Sequence, residues 1–471
     1  MRHGSLASAL ALAVGGLAAA QSPPLIPYQP TAPAVISGTI RAEPVPVTGT
    51  PVAAQADKPT PTTADKSTVA GDSKDTPTTT ATPTFTASPG APAACPVTTL
   101  PPTGLSGPSP ISYAPGAYGG GEFWASVEYL WWRIREDTVP PLVTTGPATF
   151  PVGFLGNPGT VVLFGGDVDQ DPYSGVRLRA GAWLDPCRTY GVEVGFFCLE
   201  ERTDQRVFGG PVLTRPFTSI NTGLPNSEFV AFPGIATGNV VIENKTKFCG
   251  ADIVGRCNVC ATCTGRVDVL AGFQYLNLEE ELSITETPTF AATAPFPGLA
   301  GLAFVANDTF KTRNQFYGGL VGFDATVYSG ACYVELLGSV AVGTNRQTLE
   351  ISGFQRATGP TGAVTVFNGG LLALPGANIG RSAGNECSVV PQIGINVGYH
   401  VTPNCTVFAG YSCLYWTNVI RPGHEIDPVV DINRIPNFGT APAAPQVRPA
   451  MLFSQTDFWA QGVNVGIRFS W

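Results

Sequence analysis

The sequence predicts an all-β chain: a transmembrane antiparallel up-and-down β-barrel of about ten strands, preceded by a disordered Pro/Thr-rich arm. Three observations predict it. Residues 458–471 alternate apolar and small or polar side chains for longer than the five or six residues of an ordinary strand, long enough to cross a bilayer at a tilt. The connections between such segments are short and long by turns. Beyond the first twenty residues no run is apolar for the ~18 residues a membrane helix needs. Composition agrees, with 55 Gly, 10% aromatic residues, two Met and only 13% charged residues. A net charge of −8 argues against nucleic acid as a partner, which would need a concentrated basic face.

The N-terminal region divides in two. Residues 1–20 read as a signal peptide, with Arg2 and His3 ahead of a small apolar run and Ala18, Ala19 and Ala20 before the expected cleavage point. Residues 21–118 are mostly Pro, Thr, Ala and Ser, as in Pro59-Thr-Pro-Thr-Thr63, with too few large apolar side chains to offset the entropy of ordering. A coil of this length spans roughly 50–60 Å. It reads as a disordered periplasmic arm, either a plain spacer or a segment touching the cell wall. The barrel is expected over 119–471.

Taken in order, the alternating segments are 122–135, 174–184, 190–208, 240–254, 266–285, 308–328, 332–353, 387–401, 405–421 and 457–471. Short connections carry turn residues: Asp185 and Pro186 after the second, Gly330 after the sixth, and Pro403 with Asn404 after the eighth. An eleven-residue turn, 255–265, is expected after the fourth. The long connections, 136–173, 209–239, 286–307, 354–386 and 422–456, are rich in Pro, Gly and Asn. Strict alternation of the two kinds suits short periplasmic turns, long external loops, and both termini of the mature chain in the periplasm. A soluble sandwich has no reason to gather every long loop at one end. Twelve strands remain an alternative count.

Several of these segments resemble the beta-barrel porin-7 family of bacterial outer-membrane barrels. The likeness is carried by Glu122-Phe-Trp-Ala-Ser-Val-Glu-Tyr-Leu-Trp-Trp132, Gly175-Val-Arg-Leu-Arg-Ala-Gly-Ala-Trp183, Val267-Asp-Val-Leu-Ala-Gly-Phe-Gln-Tyr-Leu276, Gln315-Phe-Tyr-Gly-Gly-Leu-Val-Gly-Phe323, and the stretches 394–401 and 463–471. It covers roughly 120–471. The resemblance implies an outer-membrane location in a Gram-negative-type cell envelope and a barrel fold, and transfers no catalytic residue. The closing aromatics Phe469 and Trp471 likewise resemble the C-terminal assembly signal that such barrels present to the barrel-assembly machinery. Outer-membrane lipid and that machinery are the expected partners, with the cell wall a further one through the arm.

Alternation assigns the faces. Val176, Leu178 and Ala180 face lipid, which turns Arg177 and Arg179 inward, and Glu193 faces in between Val192 and Val194. The same reasoning points Glu128, Asp268, Asp324, Glu335, Asn396 and Arg468 into the lumen, because Arg or Lys in the lipid face near the midplane costs about 2–4 kcal/mol. Ten strands lie near the eight-stranded size that side chains fill. The expectation is therefore a porin-like protein with a narrow polar lumen passing small solutes or ions weakly. The alternatives are a structural or surface-binding barrel without transport, and a barrel enzyme acting from its outer loops.

Eleven cysteines in an exported chain suggest disulfides before metal. Cys187, Cys257, Cys260, Cys263, Cys332 and Cys405 cluster at the short-turn end and are the disulfide candidates, whereas Cys198, Cys249 and Cys413 read as small fillers within strands. The Cys257-x2-Cys-x2-Cys263 spacing lacks a nearby His or second Cys pair, so no metal site and no cofactor is expected. His400 and His424 sit at opposite ends of the expected barrel. With only His424, Glu425 and Asp427 as an acid–base grouping, and no nucleophile elbow or HExxH, the chain is not expected to be an enzyme.

Overall fold

The computed structural model describes residues 122–471 other than 150, 169–170, 297 and 437–446, together with the pair Gly38–Thr39. The expected leader and, apart from that pair, the Pro/Thr arm lie outside the described residues. Ten antiparallel strands form a ring: β1 (Phe123–Ile134), β2 (Tyr173–Trp183), β3 (Tyr190–Leu199), β4 (Asn239–Thr262), β5 (Gly265–Glu286), β6 (Ala303–Ser329), β7 (Cys332–Thr358), β8 (Gly380–Thr402), β9 (Cys405–Ile420) and β10 (Gln455–Ser470). Each pairs with its predecessor and successor in the chain. β10 returns to β1, with Trp124 opposite Ser470 and Ile134 opposite Ala460. Phe123 and Trp471 exchange both backbone hydrogen bonds at the seam (3.1 and 3.0 Å), and their rings stack with centroids 6.3 Å apart.

Towards the short-turn end the outer face is apolar. On β10 Val463, Val465, Ile467, Phe469 and Trp471 are exposed while Asn464 and Gly466 are buried. On β6 Tyr317, Val321, Phe323 and Val327 are exposed. Residues 317–327 of this strand, at ~3.3 Å per residue and a tilt near 45°, match the height of an apolar barrel band.

Farther along the same strands the pattern inverts. The outer face of β5 becomes Asn277, Glu279, Glu281, Ser283 and Thr285, and its inner face Leu276, Leu278, Leu282 and Ile284, all buried. β6 changes in step, with Lys311 and Arg313 outside and Phe310 and Phe316 inside. So does β7, with Arg346 and Glu350 outside and Leu349 and Ile351 inside. This is the polarity of a water-soluble sheet packed around its own core. Tyr275 and Tyr317, directly opposed and 5.1 Å apart, stand where the outer face changes character.

The inversion corrects the sequence-based strand limits. β6 begins at Ala303 and not at 308, β7 ends at Thr358 and not at 353, and β8 begins at Gly380 and not at 387, because the alternation continues with its faces exchanged. The expected eleven-residue turn shrinks to Cys263-Thr264: β4 and β5 pair down to Thr262 opposite Gly265, and a bulge between Asn258 and Cys260 absorbs the odd residue.

The long connections are themselves folded. Strands Asp137–Thr145, Val161–Val168, Leu213–Ser219 and Pro225–Ala231 form a second sheet, which Val429–Val430 joins in parallel. Its apolar side packs on the inverted part of the ring in one core that includes Leu142, Val143, Leu213, Phe217, Leu282, Phe310, Leu349 and Leu371–Leu374.

Candidate functional site

The ring interior is stratified, and each layer follows from the parity of the strands around it. Nearest the short turns is a vestibule of about 160 Å³, lined among others by Arg188, Arg256, Arg266, Arg468, Tyr333 and His400. His400 Nδ1 lies 2.9 Å from the Thr406 hydroxyl. Above it sits an ion-pair lattice that draws together all nine residues assigned to the lumen from the sequence. Arg177 donates to Glu128 (3.0 Å) and Arg179 to Glu193 (2.9 Å). Arg468 donates to Glu335 (3.0 Å), to which Asn396 also donates (2.7 Å). Asn464 links Glu128 and Asn396 (3.0 and 3.1 Å). At the centre Arg256 bridges Glu193 (2.6 Å), Asp268 (3.2 Å) and Asp324.

Arg256, Arg266 and Asp252 belong to this interior and were missed from sequence. Arg256 fell inside the expected turn, although its parity with Asp252 and Val254 on β4 carries the signal. Arg266 holds Asp268 at 2.7 Å and stacks 4.0 Å above the ring of Trp183. Buried ions of both signs satisfy one another, and removing one partner of such a pair strands a charge at about 3–5 kcal/mol.

The next layer is aromatic and corrects the expectation of a lumen polar throughout. Trp132, Phe197, Phe248, Phe316, Trp416 and Phe458 come from β1, β3, β4, β6, β9 and β10 and are all buried. Phe248 contacts Phe197 (5.1 Å), Phe458 (5.0 Å) and Trp416 (6.4 Å), and Trp416 contacts Phe316 (6.1 Å). β4, β6, β9 and β10 are not all neighbours, so these contacts cross the ring. Trp132 points inward because its neighbour Trp131 points out, and Trp416 because it continues the inward parity of Phe408 and Leu414; beyond it β9 stays paired with β10 but departs from β8.

That departure makes the third layer. β9 bulges after Trp416 and Asn418 takes a positive φ of 55°, so the chain bends into the mouth. The Asn418 carbonyl accepts from Asn345 and Gln347 of β7, both at 2.8 Å. Asn314 of β6 exchanges two hydrogen bonds with the backbone of Ile420 (2.8 and 2.9 Å). Next in sequence, Arg421 is fully buried and donates twice to Glu280 (3.0 and 2.6 Å) and to the carbonyls of Arg135 and Glu136. The outermost layer seats residues 371–373, whose backbone N–H groups donate to the Asp308 carboxylate (3.3, 2.9 and 2.8 Å), with Arg215 on the same carboxylate at 2.8 Å.

The grouping weighed for catalysis is spent on loop structure. Glu425 accepts from the backbone of Phe453 (2.6 Å) and Ser454 (2.8 Å). Asp427 accepts from Arg448 and from the N–H of Val429 and Ala450. His424 lies in the short 3-10 turn Pro422–Glu425.

Among the described residues the disulfide is not one of those expected. It joins Cys198 of β3 to Cys249 of β4, while Cys257, Cys260, Cys263, Cys332 and Cys405 form no disulfide among the described residues. The reason is register: Cys198 and Cys249 face one another across β3 and β4, whereas each described thiol on a strand is paired with a residue other than Cys.

Solved structures with a similar course include the outer membrane protease OmpT of Escherichia coli, at 10% identity and TM-score 0.36 over 77% of this chain and 99% of that one. The monoaromatic hydrocarbon channel CymD follows at 9% identity and TM-score 0.16, over 75% and 90%. The toluene transporter TodX of P. putida gives 10% and 0.13, over 76% and 92%. No curated protein matches the sequence. Residues 124–471 match the beta barrel porin-7 (BBP7) family, from the first strand of the ring to the last, and the chain belongs to that family.

Proposed function

We propose that the protein is an outer-membrane barrel sealed at rest, which anchors a folded external cap and does not act as a diffusion pore or an enzyme. The observation that carries this reading is the aromatic layer, where Phe248 meets Phe197, Phe458 and Trp416 across the ring. The mixed lattice below has the character of a structural filler, since its guanidinium and carboxylate groups are paired. In this reading the short turns and both mature termini face the periplasm, lipid covers the apolar band, and Phe469 with Trp471 is read by the assembly machinery. Residues 21–118 form a periplasmic arm within reach of the cell wall.

Planar-bilayer recording tests it. The wild-type protein is expected to be silent, and the double variant Phe248→Ala, Trp416→Ala to show discrete conductance if the aromatic layer is the seal. Steady wild-type conductance overturns the sealed reading. The polar lattice and the family description favour a gated conduit as the second reading, for which the wild type conducts once the cap is displaced.

A further inference from the structure

The vestibule at the short-turn end holds an imbalance that the ion-pair lattice does not absorb. Its wall is built by residues beside the turns: Arg188 before β3, Arg266 near the start of β5, Tyr328 near the end of β6, Tyr333 near the start of β7, and Arg468 near the end of β10. The Tyr333 hydroxyl is buried, with the residue 3% exposed, and has no hydrogen-bond partner among the described residues. The Nε–H groups of Arg256 and Arg468 are likewise buried and unmatched, although both guanidiniums pair through their other nitrogens. Arg188 sits in the turn between β2 and β3 at the mouth, in no salt bridge to a described carboxylate. By contrast, the carboxylates that line the space, Asp268, Asp324 and Glu335, are each paired with an arginine. The leftover groups are donors, and a buried unmatched donor is costly.

A site with spare donors and committed acceptors selects a ligand that only accepts hydrogen bonds. We propose that this vestibule binds a small oxyanion group (a carboxylate, phosphate or sulfate), with Arg188 recruiting it at the mouth and Tyr333 donating to it inside. The cavity of about 160 Å³ admits a small anion, and a larger molecule would enter by its anionic end. The inference does not depend on whether the lumen conducts.

The test uses the full chain in detergent micelles at constant ionic strength, titrated calorimetrically with phosphate, with acetate, and with a short peptide bearing a free or amidated C-terminus. One saturable site for phosphate or acetate is expected. Arg188→Ala should weaken it about tenfold and Tyr333→Phe about three- to fivefold, while heat-modifiable migration on gels shows each variant still folded. Binding of the free-acid peptide but not the amide identifies a polymer end group as the source; equal binding of both with phosphate retained identifies a free anion. Heats no larger than those of matched chloride, binding unchanged in Arg188→Ala, or preference for an alkylammonium cation would overturn the proposal.

Discussion

Arg421 shows how much one side chain organises here. It is fully buried, takes both oxygens of Glu280, and holds two carbonyls from the start of the first long connection. Arg421→Ala leaves Glu280 as an unpaired buried charge and is expected to cost about 3–5 kcal/mol, read as an earlier heat-modified gel transition. Glu425 gives the cap a pH dependence. Burial, its largest influence, pushes this carboxyl up from 4.5 to about 7, against the two backbone N–H groups that favour the charged form. Between those values the folded cap retains a proton that the unfolded chain releases, so stability falls as pH rises from about 4.5 to 7 and is level above. Intrinsic exchange-corrected protection of the Phe453 and Ser454 amides should therefore be lower at pH 8 than at pH 5, and Glu425→Leu should flatten the difference. At Cys198 and Cys249 the expectation is a disulfide-linked peptide on mass mapping of the non-reduced protein, with Cys260 and Cys263 alkylated. A bridge among the turn cysteines instead would contradict the register argument.

At the scale of the strand, the exchange of faces decides what a substitution costs. Val321 of β6 is 63% exposed within the apolar band, and Val321→Arg is expected to cost about 2–4 kcal/mol in lipid. Thr309, on the same face beyond Tyr317, should accept arginine within about half a kcal/mol. Equal costs in folding titrations at the two sites would refute the inversion. Its outer polar surface also has order. Lys245, Glu281, Lys311, Glu350 and Arg381 oppose one another in sequence across β4 to β8, with Glu281 3.7 Å from Lys245 and 3.4 Å from Lys311. Such exposed pairs contribute little individually and are screened by salt. Charge reversal at Lys311 should thus act weakly, and less at high ionic strength.

The ten strands were legible because each keeps period two, and Arg177, Arg179 and Glu193 were legible because lipid-facing neighbours fix their parity. The inversion was written in the sequence as well, in Leu276, Leu278, Leu282 and Ile284 set against Val267 and Val269. Ranking one face as lipid-facing along the whole strand conceals it. The aromatic layer could not be read, because it depends on which of several indistinguishable aromatics meet across the ring. The bend at Asn418 is equally opaque, being fixed by amides on β6 and β7 far away in the chain. Tertiary partners, not local propensity, select both.

At the scale of the molecule, the ring couples two solvents in one continuous sheet: a lower half with lipid polarity and an upper half with aqueous polarity. The pairing of β10 with β1 joins residues more distant in sequence than any other strand pair of the ring. Until that seam forms, β1 and β10 each present a row of unmatched backbone donors and acceptors, tolerable in water but not in hydrocarbon. Assembly then has the character of a clasp: the strand that comes last in the ring's chain order is also the one that ends the exposure. Partly inserted intermediates are a liability from the first strand onward, so the unfinished edges must be shielded until Gln455–Ser470 docks, and a chain arrested before that strand should be cleared rather than stored.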